Sequence, residues 1–133
     1  MKKQLIAGCS VVVFALQCSY ASSISTHDLE KRSFEVAYQL YQLVEKNKTD
    51  ICAGDVGIAA GYIESAGRDL QHDQRTKALT SLSYGHNELK EISTARSYCT
   101  KIAAQVKPYF AKVILIKSEL ENETLPEPDQ TSD

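Results

Sequence analysis

The sequence predicts an all-α protein, a compact bundle of four to five helices closed by one intramolecular disulfide. Three observations lead there. Apolar side chains return every three or four residues along three long stretches, the spacing that sets them on one helical face. A single short run, AKVILI from Ala111 to Ile116, has the β-branched content of a buried strand, and no second convincing strand exists to pair with it. Two cysteines, Cys52 and Cys99, remain once an N-terminal leader is set aside.

The leader is MKKQLIAGCSVVVFALQCSYASS. Lys2 and Lys3 form a positive start, Leu5 to Leu16 is an uncharged apolar run, and Ser19-Tyr20-Ala21 is a small-x-small exit. Residues 1–21 thus read as a signal peptide cut before Ser22. The apolar run falls short of the roughly 20 residues of a spanning helix. Cys9 follows a lipobox-like Ile6-Ala7-Gly8 too early in the chain, and Cys18 follows the large Gln17, so neither reads as a lipid anchor.

Of 133 residues in all, 112 remain after Ala21, enough for one domain with a modest core. Losing Lys2 and Lys3 leaves 13 basic against 17 acidic side chains, a net charge of −4. No basic cluster stands out, which argues against nucleic acid and against anionic membrane surfaces. Export implies an oxidising space, in which Cys52 and Cys99 bridge. Closing so long a loop is worth roughly 4 kcal/mol on the chain-entropy account. Neither cysteine has the CxxC spacing of a redox thiol.

The first helix begins near Ser25 or Thr26, either able to cap it, with Asp28 and Glu30 at the positive end of its dipole. Leu29, Val36, Leu40 and Leu43 form the stripe, widened by Phe34, Ala37, Tyr41 and Val44. Lys46-Asn47-Lys48 closes it. A second helix, capped by Thr49 or Asp50 or starting at Asp55, carries Val56, Ala59, Ala60, Ile63 and Ala66 on one face. Gly57 and Gly61 invite a close neighbour. The stretch from Asp73 to Ser81 reads as a short helix, and Tyr84-Gly85-His86-Asn87 as a turn, because Gly and Asn tolerate left-handed backbone. Leu89, Ile92, Ala95, Cys99, Ile102 and Val106 then predict a third major helix with Cys99 at its middle. Pro108 either kinks that helix or starts a fourth, which continues through Tyr109, Phe110, Val113, Ile114, Ile116 and Leu120. The core domain is residues 22–121. Residues 122–133, acidic with two prolines, read as a disordered tail.

Catalytic patterns are missing. His27, His72 and His86 stand in no metal spacing, and there is no HExxH, glycine-rich phosphate loop or GxSxG elbow. Glu64 and Arg68 are four apart in the favourable order for a surface pair. The expectation is a protein that is not an enzyme and carries no cofactor or metal. Tyrosine is abundant instead, with seven against three phenylalanines and no tryptophan. Its ring buries area while its hydroxyl stays wet, which suits an interface. From local composition the partner-binding candidates are Tyr62, Glu64, Tyr84 and His86.

The segment DICAGDVGIAAGYIESAGRDL, with Gly61-Tyr62-Ile63 following Cys52 on a small-residue helix, resembles the periplasmic immunity proteins of type VI secretion peptidoglycan-amidase effectors. The resemblance spans Phe34 to Leu120. It implies a small helical protein, a homodimer, that binds a secreted cysteine amidase and blocks its cleft. It assigns no contact residue. The alternative function is a small helical periplasmic stress chaperone that exposes apolar surface on acidification. Three histidines give little switching near neutral pH, which leaves the carboxylates to act lower.

Overall fold

The computed structural model describes residues 25–124. The expected signal peptide over residues 1–21 and the tail beyond residue 124 lie outside the described residues. Among those described there are four α-helices and no strand: α1 (Thr26–Lys46), α2 (Ala53–Gln71), α3 (Arg75–Lys90) and α4 (Thr100–Thr124). AKVILI is helical, inside α4.

Each boundary has a local cause. Ser25, in extended backbone, caps α1 by accepting from the Asp28 N–H at 3.3 Å. At the other end the Asn47 side chain donates to the Leu43 carbonyl at 2.8 Å, beside the bond that its own backbone N–H makes to the same oxygen at 3.1 Å. Asp50 does not cap α2 itself. Its carboxylate accepts from the Cys52 N–H at 2.9 Å and fixes the turn from which α2 starts one residue later. Between α2 and α3 the reversal falls on Asp73, whose φ of 54° is a left-handed conformation that Asp tolerates.

Several expectations are corrected in the second half. The Tyr84–Asn87 stretch is no turn: α3 runs straight through it to Lys90. Gly85 is there because α3 crosses α2 at that point. A Cβ on it would stand 2.8 Å from Ile63 Cγ1 and 3.3 Å from the Ala59 carbonyl oxygen. The third major helix is also not continuous. After α3 comes a π-helical turn, Glu91–Ala95, closed by the Arg96 N–H on the Glu91 carbonyl at 3.0 Å, and α4 begins only at Thr100. Cys99 therefore stands just ahead of the first turn of α4, not at mid-helix. Ala95, placed on the apolar face by its spacing, is exposed. Pro108 neither starts nor ends a helix; α4 carries it on its solvent side and continues to Thr124, three residues into the stretch expected as tail.

The helices pack in a ring, α1 on α2, α2 on α3, α3 on α4, and α4 back on α1, with α2 and α4 on the diagonal. Leu29, Leu40, Ile63, Leu82, Leu89, Ile92, Ile102, Ile116 and Leu120 fill the centre and are fully buried. Ser33, the one buried polar residue among those described, donates to the Leu29 carbonyl at 2.8 Å, so it carries no unmet hydrogen bond. The diagonal is stapled at one end by the Cys52–Cys99 disulfide, with Cα atoms 5.7 Å apart and both residues out of solvent. Arg32 on α1 pairs with Glu119 on α4, and this carboxylate raises the guanidinium's already high pKa.

Candidate functional site

α2 presents one face to α1, one to α3 and a third to solvent. The solvent face carries Ile58 and, one turn on, Tyr62. The Tyr62 ring meets Tyr84 of α3 with centroids 5.3 Å apart and planes tilted by 35°, a favourable aromatic contact. Toward α1, the Tyr41 hydroxyl donates to Glu64 Oε2 at 2.9 Å, and Arg68 donates to Glu64 Oε1 at 2.6 Å. A Cβ on Gly61 would meet the Tyr41 oxygen at 3.7 Å, an ordinary contact, so this arrangement does not itself require the glycine. Partial burial, and then the Glu64 carboxylate, push the Tyr41 phenol above its ordinary pKa of 10.0.

Tyr38 stands one turn before Tyr41 and is 63% exposed. The two rings divide a pair of shallow clefts. One, of about 280 Å³, is lined by Phe34, Ala37 and Glu64 as well as both rings. The other, of about 460 Å³, is completed by Gln42, Glu45 and Lys46. With Ile58 at 53% and Tyr84 at 55% exposure, large apolar groups reach solvent on three successive helices of the ring. Isolated exposed apolar residues need no explanation, but a run of them across three elements does.

The four residues expected to contact a partner separate into two places. Tyr62 and Tyr84 touch, and Glu64 lies on the same helix as Tyr62, bonded to Tyr41. His86 belongs elsewhere: it is half-buried on α3 with its ring 5.0 Å from Phe110 of α4. A loop would have let its side chain swing toward Tyr84, whereas a helix points residues two apart in different directions. Ile58 went unnoticed in the sequence. Its signal was present: it breaks the buried series Val56, Ala59, Ala60 and Ile63 with a large apolar side chain on the wrong face.

No protein-family model, curated protein or solved structure matches this chain. Both described cysteines are tied in the disulfide, so neither is a thiol nucleophile. Among the described residues no three His, Cys, Asp or Glu side chains are grouped to hold a metal ion. None of the described helices is long and apolar enough to cross a membrane. Fixed tyrosine rings beside carboxylates, on a rigid helical platform, are suited to contact with another macromolecule.

Proposed function

We propose that this protein acts by binding another protein in the periplasm, and that the partner is a secreted peptidoglycan-cleaving amidase that it inhibits as an immunity protein. The observation that carries the binding reading is the exposure of large rings and an isoleucine on three neighbouring helices, Tyr38 and Tyr41 on α1, Ile58 and Tyr62 on α2 and Tyr84 on α3, with the Tyr62 and Tyr84 rings in contact. The amidase is named by the resemblance in sequence. Inhibition of this kind needs no chemistry from the inhibitor. It is steric, with a few desolvated tyrosines supplying most of the free energy and a surplus of carboxylates steering encounter. Tyr41 and Tyr62 are already oriented by Glu64 and Tyr84, which lowers the ordering cost of binding. The buried disulfide is of the kind that persists outside the cytoplasm.

The test is to mix the disulfide-intact protein with secreted amidases encoded beside its gene and measure both complex formation and peptidoglycan cleavage. A stoichiometric complex with loss of cleavage supports the proposal. An active amidase in the presence of excess protein refutes the amidase assignment. Many weak clients captured only in acid would favour a chaperone instead.

A further inference from the structure

On α2, Asp55, Ile58 and Tyr62 stand at i, i+3 and i+7, one stripe along the helix. On α3 and the turn after it, Tyr84, Glu88 and Glu91 stand at i, i+4 and i+7, a second stripe. The two stripes run in opposite directions and are joined at both ends. At one end the Tyr62 and Tyr84 rings meet. At the other, Arg96 lies 2.6 Å from Asp55, 2.9 Å from Glu91 and 3.5 Å from Glu88. Ile58, more than half exposed, lies between the rings and the charges.

The charges on this face do not balance. Three carboxylates share one guanidinium, which leaves two negative charges over. Elsewhere among the described residues no arginine meets more than two acids: Arg32 meets Asp28 and Glu119, and Arg75 meets Asp73 and Glu123. Lys77 shares the α3 stripe but stands two turns away, on the far side of Tyr84, and Lys90 projects off the stripe. Neither offsets the surplus. A second cation brought to Glu88 relieves the crowding of like charges around Arg96. It also comes within one helical turn of the Tyr84 ring, Cβ atoms roughly 6 Å apart, close enough to lie over the ring face.

We propose that the α2–α3 face receives a basic segment of a partner protein, whose apolar side rests on Ile58 and the tyrosine pair and whose arginine or lysine enters between Tyr84 and the carboxylates of Asp55, Glu88 and Glu91. This rests on the reading of the tyrosine face as a protein-binding surface, but not on the partner being an amidase. The rings supply the buried area, and the surplus charge sets orientation and selects against acidic partners. The contact is salt-dependent, because the carboxylates stay partly in solvent.

The experiment titrates the disulfide-intact protein with an end-blocked tetra-arginine peptide at low salt and follows backbone amide shifts by NMR, with an end-blocked tetra-glutamate peptide as control. The arginine peptide is expected to shift Asp55, Ile58, Tyr84 and Glu88 most, and the glutamate peptide to shift none of them. Glu88→Gln combined with Glu91→Gln is expected to weaken the arginine peptide about tenfold. Arg96 keeps Asp55 in that variant, and a thermal melt checks its fold. Tyr84→Leu keeps apolar area but loses the ring face, and is expected to weaken the peptide about threefold. Glu35→Gln, on exposed α1 surface and in no ion pair among the described residues, is expected to change nothing. Shifts spread evenly over the acids of the chain, shifts centred on Arg32 or Arg75, or a Glu88→Gln, Glu91→Gln protein that binds like wild type would each overturn the proposal. No amidase enters this titration, so its failure is distinct from an amidase that stays active beside the protein, which refutes only the amidase assignment.

Discussion

Gly85 of α3 lies directly against Ile63 of α2: a Cβ on Gly85 would stand 2.8 Å from Ile63 Cγ1 and 3.3 Å from the Ala59 carbonyl oxygen. Ile63 is fully buried and held by its neighbours, so it has nowhere to retreat. Gly85→Ala gains helix propensity, about 1 kcal/mol, but must push the two helices apart, at about 1–3 kcal/mol. The expected net change is a loss of stability, read as a lower urea midpoint. Gly57 is the control. A Cβ there meets only Val44 Cγ2 at 3.9 Å, an ordinary contact, so Gly57→Ala should raise stability by about 0.5–1 kcal/mol.

That pair also shows what the sequence could disclose. Periodicity reports which side of a segment is buried, and it found the stripes of α1 and α2; the helical nature of AKVILI came from the lack of a second strand to pair with it. Periodicity does not report continuity. Leu89, Ile92, Cys99, Ile102 and Val106 are all buried, yet they belong to two helices and the segment between them, which happen to share a core side. Gly85 misled for a related reason: a glycine allowed by its freedom in a turn and a glycine required by a neighbouring helix look alike in sequence. Tyr62 and Tyr84 were legible as candidates because tyrosine is unusual in number, but their contact is a tertiary fact. His86 is close to Tyr84 along the chain but packs on Phe110 of α4, because positions two apart on a helix point in different directions.

The disulfide should be the largest single stabilising element at its end of the bundle. Arg96 reinforces it: three residues before Cys99, it forms an ion pair with Asp55, three residues after Cys52, at 2.6 Å, and donates to Glu91 at 2.9 Å. Reduction, or Cys52→Ser with Cys99→Ser, is expected to cost about 2–4 kcal/mol in denaturant unfolding. Arg96→Ala should cost less, about 1 kcal/mol, since its partners stay partly in solvent. In the reduced protein the Arg96 change should weigh more, because the ion pairs are then what holds the start of α2 against the turn before α4.

Tyr41 gives a pH signature. Its phenol is neutral over the ordinary range, and burial with Glu64 raises its folded pKa above 10.0. The folded state therefore holds the proton more tightly than the unfolded one. The stabilisation is fully present below pH 10 and is lost as pH rises from there through the folded pKa. A difference titration by tyrosinate absorbance, wild type minus Tyr41→Phe, should show a group ionising above pH 10. Glu64→Gln should move that group down, because it removes the negative charge while keeping an acceptor for the hydroxyl.

The tyrosine face can be separated from the fold by comparing three substitutions. Tyr62 and Tyr84 support each other at the surface, and Tyr84 is more than half exposed, so trimming either leaves little cavity. Tyr62→Ala and Tyr84→Ala should each change stability by less than about 1 kcal/mol, yet weaken partner binding by about 2 kcal/mol, or roughly thirtyfold, as anchors at the centre of an interface do. Their effects should not add, because each ring orients the other. His86→Ala should do the reverse. It removes a ring packed against Phe110, so it should lower stability while leaving partner affinity unchanged. Calorimetric titration of the three variants with the partner, beside their unfolding curves, separates the two roles. If His86→Ala weakened binding and the tyrosine substitutions did not, the contact surface would lie on the α3–α4 side of the ring and not across α1, α2 and α3.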